Sequence, residues 1–340
     1  YVKIGVPTEE RHILATLHDA TYQFGIDYLR DVWYSTSYLL DRKQSMNGCA
    51  KKRFENYKQQ PLEFVFDKSF TGKLSQFGLD PNRRTPSGIK AAIIREKGTN
   101  GEREMAYMLY LAGFDVKDVT MTDLISGRET LEDINMVVYC GGFSNSDVLG
   151  SAKGWAGSFL FNPKAKAALD NFYAREDTLS LGVCNGCQLM MELGLITPED
   201  KKKGKMLHND SHKFESNFLG VTVPMNRSVM FGSLSGSKLG IWVAHGEGKF
   251  SLPYPEDHYN VVLKYSYDEY PGNPNGSDYS VAGIASQDGR HLAMMPHLER
   301  ACFPWENAYY PLDRKEEDQI TPWMEAFVNA RKWVEANRKK

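Results

Sequence analysis

Two rhythms of apolar spacing alternate along most of this chain. Short apolar runs of strand length are separated by stretches in which apolar residues recur at helical intervals. Ile89 to Ile94 is the first such run and predicts a buried strand. Helical spacing over Gly101 to Ala112 follows and is stopped by Gly113. Strands are predicted next near Asp115 to Thr120 and over Met136 to Tyr139, and Pro163 stands at a helix start ahead of Ala165 to Ala174. In Asp177 to Val183, Leu179, Leu181 and Val183 face one way, as in a buried strand. From Asn185 to Leu193 the spacing turns helical, with Cys187, Met190 and Met191 on one face and Gly194 and Pro198 as stop signals. Beyond Leu239 strand signals dominate: Ile241 to Ala244, Tyr259 to Tyr267, then Val281 to Ser286 and His291 to Met295, joined across an Asp288-Gly289 turn. Strands alternating with helices predict an α/β fold, a mainly parallel sheet flanked by helices, with an antiparallel extension.

The pattern before residue 89 is different. Arg11 to Asp41 reads as helix-rich, with Ile13, Leu14, Leu17, Tyr28, Leu29, Val32 and Trp33 as apolar anchors. Gln44 to Gln60 is polar and basic and reads as an exposed helix or linker, a solvated face rather than a nucleic-acid patch. Leu62 to Phe66 predicts a short strand, and Thr71 to Gly88, rich in Gly, Pro, Asn and Arg, a linker. The expected division is a small helix-rich segment over 1–60, a linker over 61–88 and one domain over 89–340.

Composition narrows the function classes. The 340 residues carry a formal net charge of −2, and 41% are hydrophobic, which suits a globular protein with a sizeable core. No basic stripe points to nucleic acid. No apolar run approaches the roughly 20 residues of a membrane span. Five cysteines, an odd number, argue for a reducing compartment such as the cytoplasm. No G-x-x-x-x-G-K-[ST] loop exists, Gly232 to Lys238 does not fit one, and REKGTNGERE (95–104) lacks G-x-G-x-x-G spacing.

The chemistry concentrates at two places. Gly182-Val183-Cys184-Asn185-Gly186 has the spacing of a nucleophile elbow, with a thiol in the nucleophile position. Cys184 is expected in a tight turn between strand and helix, which needs the small neighbours Gly182 and Gly186. The helix N-terminus favours a thiolate, and the Asn185 N–H is placed to donate to an oxyanion. His297 follows a strand end, and Glu299 can take its Nδ1 proton. Other readings exist. Cys184 and Cys187 form a C-x-x-C that suits a redox dithiol, Cys184 is also readable as an inert core cysteine, and His297 with Glu299 as a surface pair. A zinc site lacks a second ligand pair. His245-Gly246-Glu247-Gly248 is a second His–Glu pair after a strand, and spacing alone does not choose between the two.

Gly182, Cys184, Gly186 and Gln188 fit G-x-C-x-G-x-Q, and His297-Leu298-Glu299 resembles H-P-E. These are the two motifs of the class I glutamine amidotransferases, which this chain resembles over residues 88–335. Leu298 departs from the family's proline, which changes backbone stiffness but keeps the two chemical residues. Gly141-Gly142 after Met136 to Cys140 is similar to the family's glycine pair. CGGFSNSDVLGSAKGWA (140–156), HNDSHKFES (208–216), VAHGEG (243–248) and NPNGSDYSVAGIAS (273–286) resemble its purine-synthesis branch. RDVWYSTSYLL (30–40) resembles the end of a synthetase portion, so a C-terminal piece of a longer polypeptide is expected. The resemblance implies a flavodoxin-like fold and L-glutamine as substrate. It implies Cys184, His297 and Glu299 as catalytic residues, and Gly141, Gly142, Phe143, Asn185 and Gln188 at the oxyanion and substrate. Asn209, Ser211, Glu215, His245 and Glu247 are expected as substrate-side or interdomain residues. It implies a synthetase domain of the same polypeptide as partner, with ATP and Mg2+ confined to that portion, and no metal or cofactor here. A γ-glutamyl peptidase of the same fold and a non-catalytic docking domain are the alternatives.

Overall fold

The computed structural model describes residues 1–59 and 62–338. Gln60 and Pro61, where the first two segments were expected to meet, lie outside the described residues, as do Lys339 and Lys340.

The N-terminal segment is only partly helical. Strands β1 (His12–Leu17) and β2 (Ala20–Gly25) form an antiparallel hairpin, and helix α1 (Ile26–Gln44) follows. The expectation of a helix-rich stretch from Arg11 is corrected here: the helix starts at Ile26. Thr16, Thr21 and Tyr22 suit a pleated ribbon, and His18 takes a positive φ of 53° in the turn. The expected anchors are exposed, from Ile13 and Leu14 to Val32 and Trp33. Helix α2 (Cys49–Glu55) differs from the solvated helix that was expected, because Cys49 and Ala50 are buried. It is fastened beside the 208–216 loop: Met46 N–H donates to Ser211 O at 3.0 Å, and Asn47 Nδ2 to Asp210 O at 2.8 Å.

Residues 62–88 run as a strap along the larger domain. The short strand expected over Leu62 to Phe66 is reduced to one bridge, Val65 with Lys238. The strap's aromatics pack instead: Phe66 lies 5.6 Å from Phe70 and 5.7 Å from Tyr310, ring to ring. Arg83 closes the strap, donating to Phe114 O at 2.6 Å and pairing with Asp115 at 3.0 Å.

The rest is built on a nine-stranded sheet. Its strands, in chain order, are β3 (Lys90–Arg95), β4 (Asp115–Thr120), β5 (Met136–Tyr139), β6 (Leu179–Val183), β7 (Glu215–Thr222), β8 (Lys238–His245), β9 (Asn260–Tyr265), β10 (Val281–Ala285) and β11 (His291–Met294). Their order across the sheet is β8-β7-β9-β10-β11-β6-β5-β3-β4. Strands β11, β6, β5, β3 and β4 are mutually parallel, and the pairs from β8 to β11 are antiparallel. Every residue of β5, β6, β10 and β11 is buried, the pattern of strands covered on both faces. The flanking helices are α3 (Glu102–Ala112), α4 (Met121–Ser126), α5 (Lys153–Phe161), α6 (Pro163–Ala174), α7 (Asn185–Glu192) and α8 (Trp323–Asn337). Local chemistry sets their ends. Thr120 and Asp123 form a capping box for α4, and Asn162 caps α6 ahead of Pro163. The mainly parallel sheet flanked by helices, with its antiparallel extension, is thus the architecture that the apolar pattern predicts. No helix among the described residues is long and apolar enough to cross a membrane.

Candidate active site

Strands β5, β6, β8 and β11 end on the same side of the sheet, and every candidate group lies beyond those ends. Cys184 joins β6 to α7 with φ 53° and ψ −107°, a conformation that costs a non-glycine residue about 1–3 kcal/mol. Its own backbone holds it there: the N–H donates to Met294 O at 2.9 Å, and the carbonyl accepts from Gln188 N–H at 3.0 Å. The bend throws the sulfur off the strand to 3.5 Å from Ala244 O, at the end of β8. The N–H groups of Asn185 and Gly186, at the start of α7, have no acceptor among the described residues. They are the free donors that a helix start leaves beside the thiol. Gly186 makes the elbow that tight, since a Cβ there would collide with the Tyr139 carbonyl.

His297 arrives from the end of β11. Its N–H donates to Trp242 O at 2.9 Å, which bridges it to β8. Its Nδ1 lies 2.7 Å from Glu299 Oε1, and both side chains are buried. Gly141 sits in the angle between ring and thiol: a Cβ there would be 2.8 Å from His297 Cε1 and 3.3 Å from Cys184 Cβ. Burial opposes the charged imidazole. The Glu299 carboxylate and the Cys184 sulfur outweigh it and raise His297 to about 10. The histidine is thereby held as an imidazolium beside the sulfur.

The rival dithiol finds no support in this geometry. Cys184 and Cys187 are unpaired, and burial pushes the Cys187 thiol well up, keeping it in its unreactive form. The second His–Glu pair is not a dyad either. His245 Nδ1 faces Asn209 Oδ1 at 3.2 Å, while Glu247 Oε2 accepts from Ser151 N–H at 3.4 Å. Burial first, and then the charge on His297, lower His245 to about 3. It is a neutral imidazole whose Nε2 is buried with no hydrogen bond among the described residues.

Residues 88–334 match the model of the CobB/CobQ-like glutamine amidotransferase domain. The chain belongs to that amidotransferase family. It is 40% identical to the probable phosphoribosylformylglycinamidine synthase, chloroplastic/mitochondrial, of Arabidopsis thaliana over 333 residues. That alignment covers 91% of this chain and 23% of the relative. It is also 40% identical over 339 residues to the phosphoribosylformylglycinamidine synthase of Homo sapiens, covering 90% of this chain and 24% of the relative. The chain therefore spans about a quarter of the length of these relatives. The solved structure of PurLQS from Thermotoga maritima matches with a TM-score of 0.56 at 27% identity, over 72% of this chain and 99% of that one.

In this amidotransferase the remaining expected residues separate into tethers and outliers. Asn185 Oδ1 accepts from Ser144 N–H at 3.1 Å, and its Nδ2 donates to Gln188 Oε1 at 2.9 Å. Gln188 Nε2 in turn donates to Glu247 O at 2.8 Å. These amides tie the elbow to the loops on either side of the sulfur. Phe143 needs correction as an oxyanion donor. Its N–H is committed to Gly98 O at 2.8 Å, because Gly141 and Gly142 pair with Thr99 and Asn100 in a small ribbon. The Phe143 ring is exposed, 5.9 Å from Phe214. Asn209 holds the 245–248 loop: Nδ2 donates to His245 O at 2.7 Å, and Oδ1 accepts from Gly248 N–H at 3.0 Å. Ser211 and Glu215 face the N-terminal segment instead. The Glu215 carboxylate accepts from Ser211, from Tyr270 at 3.0 Å and from Arg53 at 3.3 Å. The Thr99–Asn100 ribbon, which braces the glycine pair, was not foreseen. The Asn100-Gly101 turn dipeptide in REKGTNGERE was its available signal.

Proposed function

We propose that this chain is the glutaminase part of a phosphoribosylformylglycinamidine synthase, a glutamine-dependent carbon–nitrogen ligase of purine synthesis. The observation that carries the proposal is the convergence of Cys184, His297 and Gly141 at the sheet's carboxyl edge, with Glu299 at 2.7 Å behind the histidine. The Cys184 thiolate attacks the side-chain amide carbon of glutamine. The tetrahedral oxyanion is met by the Asn185 N–H and by the Gly141-Gly142 backbone, and one such donor is typically worth about 3–4 kcal/mol. His297, oriented by Glu299, protonates the departing ammonia. The resulting γ-glutamyl thioester is then hydrolysed by water that His297 deprotonates, giving glutamate.

Free ammonia is largely protonated in neutral water and then has no lone pair to attack with. In this reading it passes inside the protein to the synthetase portion of the same polypeptide. That portion would hold the ATP and Mg2+ whose chemistry is to phosphorylate the formyl amide oxygen of formylglycinamide ribonucleotide, so that ammonia can displace it as phosphate. Neither nucleotide nor metal is assigned to this chain. We infer a reducing compartment, the cytoplasm, from five free cysteines; the Arabidopsis relative is named as organellar.

The test is mass spectrometry after incubation with a diazo-ketone analogue of glutamine. One adduct on Cys184 is expected, and none after Cys184→Ser. Labelling no faster at Cys184 than at Cys49 or Cys302 would refute the assignment.

A further inference from the structure

Arg300 follows Glu299 and turns its guanidinium back toward the buried carboxylate. Its Nε lies 3.7 Å from Glu299 Oε1 and 3.8 Å from Glu104 Oε1 on α3. Its Nη2 donates to Asn100 Oδ1 at 2.7 Å. Asn100 is paired with Gly141 in the ribbon beside the thiol. Gly101 leaves room for this arrangement: a Cβ there would be 3.1 Å from Arg300 Nη2 and 3.4 Å from Glu299 Oε1. One guanidinium thus reaches both the carboxylate behind His297 and the strand that braces the glycine pair.

The charges around it give the contact a purpose. Glu299 Oε2 is buried with no hydrogen bond among the described residues. Glu104 and Glu306 also face this carboxylate, and Glu306 is pushed up to about 7 by burial and then by these like charges. Glu102 lies further out, and the Cys140 and Cys302 thiols nearby are kept neutral by burial. A buried carboxylate oxygen without a hydrogen bond, set among other acidic groups, is held in place better with a cation beside it. Arg300 is about a third exposed at the side chain and its Nε is buried without a hydrogen bond among the described residues, so it acts on Glu299 by a partly screened charge at 3.7 Å and on Asn100 by a hydrogen bond.

We propose that Arg300 is a positioning residue of this site, clamping the Glu299–His297 pair to the Thr99–Asn100 and Gly141–Gly142 ribbon so that the base and the oxyanion side move as one body. The proposal rests on reading Cys184, His297 and Glu299 as a working triad.

Arg300→Gln and Arg300→Lys test it against the unchanged chain, with two readouts. One is the pH dependence of Cys184 alkylation by iodoacetamide; the other is kcat and KM for glutamine hydrolysis. Arg300→Gln is expected to lower kcat about tenfold with KM within about twofold. It also moves the alkylation midpoint to higher pH, since losing a nearby cation raises every proton affinity of the pair. Arg300→Lys restores the midpoint but not kcat, because an ammonium keeps the charge and cannot span Asn100 and Glu299 together. A loss confined to KM or to thermal stability, or an unmoved midpoint with unchanged kcat, overturns the proposal. Should Arg300→Gln fail to fold, Asn100→Ala decides: kcat falls with the midpoint unmoved, or the clamp is wrong. Cys184→Ser that still hydrolyses glutamine defeats the triad itself, and the clamp with it, whatever Arg300 does.

Discussion

His297 and His245 lie close enough to feel each other's charge, yet their surroundings hold them in opposite protonation states. His297 has a carboxylate and a sulfur beside it; His245 has a neutral amide. The pair brackets the pH range in which the fold is most stable. His297 is raised to about 10 from an unfolded value of 6.5, so its contribution is complete below pH 6.5 and is lost as pH rises through about 10. His245 is lowered to about 3, and His291 to about 4, so their contribution is complete above pH 6.5 and is lost as pH falls through those values. Melting temperature measured from pH 4 to pH 10 is expected to fall at both ends. His297→Gln should flatten the alkaline side and His245→Gln the acid side; the reverse assignment would mean that the charge states are exchanged. Turnover should divide the same way, His297→Gln abolishing γ-glutamyl thioester formation and His245→Gln sparing it. At this scale the sequence was legible for Cys184, His297 and Glu299, because the chemistry requires those residue types. It was silent on the charge state of His245, which depends on burial and on His297, distant in sequence.

At the scale of elements, the elbow shows how little freedom the site has. β6, the turn and α7 fit only because Gly186 lets the helix start against the end of β5. Gly186→Ala is expected to cost about 2 kcal/mol or more, since the Cβ meets backbone rather than a movable side chain. Urea titration would show this as a lower midpoint at unchanged slope; a midpoint within error of the parent would mean that β5 and α7 can part without cost. The β–α alternation from residue 89 was readable because the central strands β5 and β6 are buried on both faces and the helices between the strands on one. The front hairpin was not. Ile13, Leu14 and Leu17 fit a helical stripe as well as a strand, and the turn at His18-Asp19 carries no glycine to mark it. The strap over 62–88 was read from its Gly and Pro as a linker, whereas Phe66 and Phe70 decide its course through partners distant in sequence.

For the whole molecule, the front segment is the anomaly. Helix α1 buries none of its residues and presents Leu29, Val32, Trp33, Leu39 and Leu40 to solvent. An apolar face of that kind binds whatever covers it, other molecules included. Removing residues 1–45 is expected to lower the fluorescence of a hydrophobic dye and to raise the solubility limit. Unchanged dye binding would place the adhesive surface elsewhere.

The loop that Arg53 grips through Glu215 also carries Asn209, whose amide holds the wall opposite the sulfur. Helix α2 and the 245–248 loop next to the sulfur are therefore moored to one short length of chain.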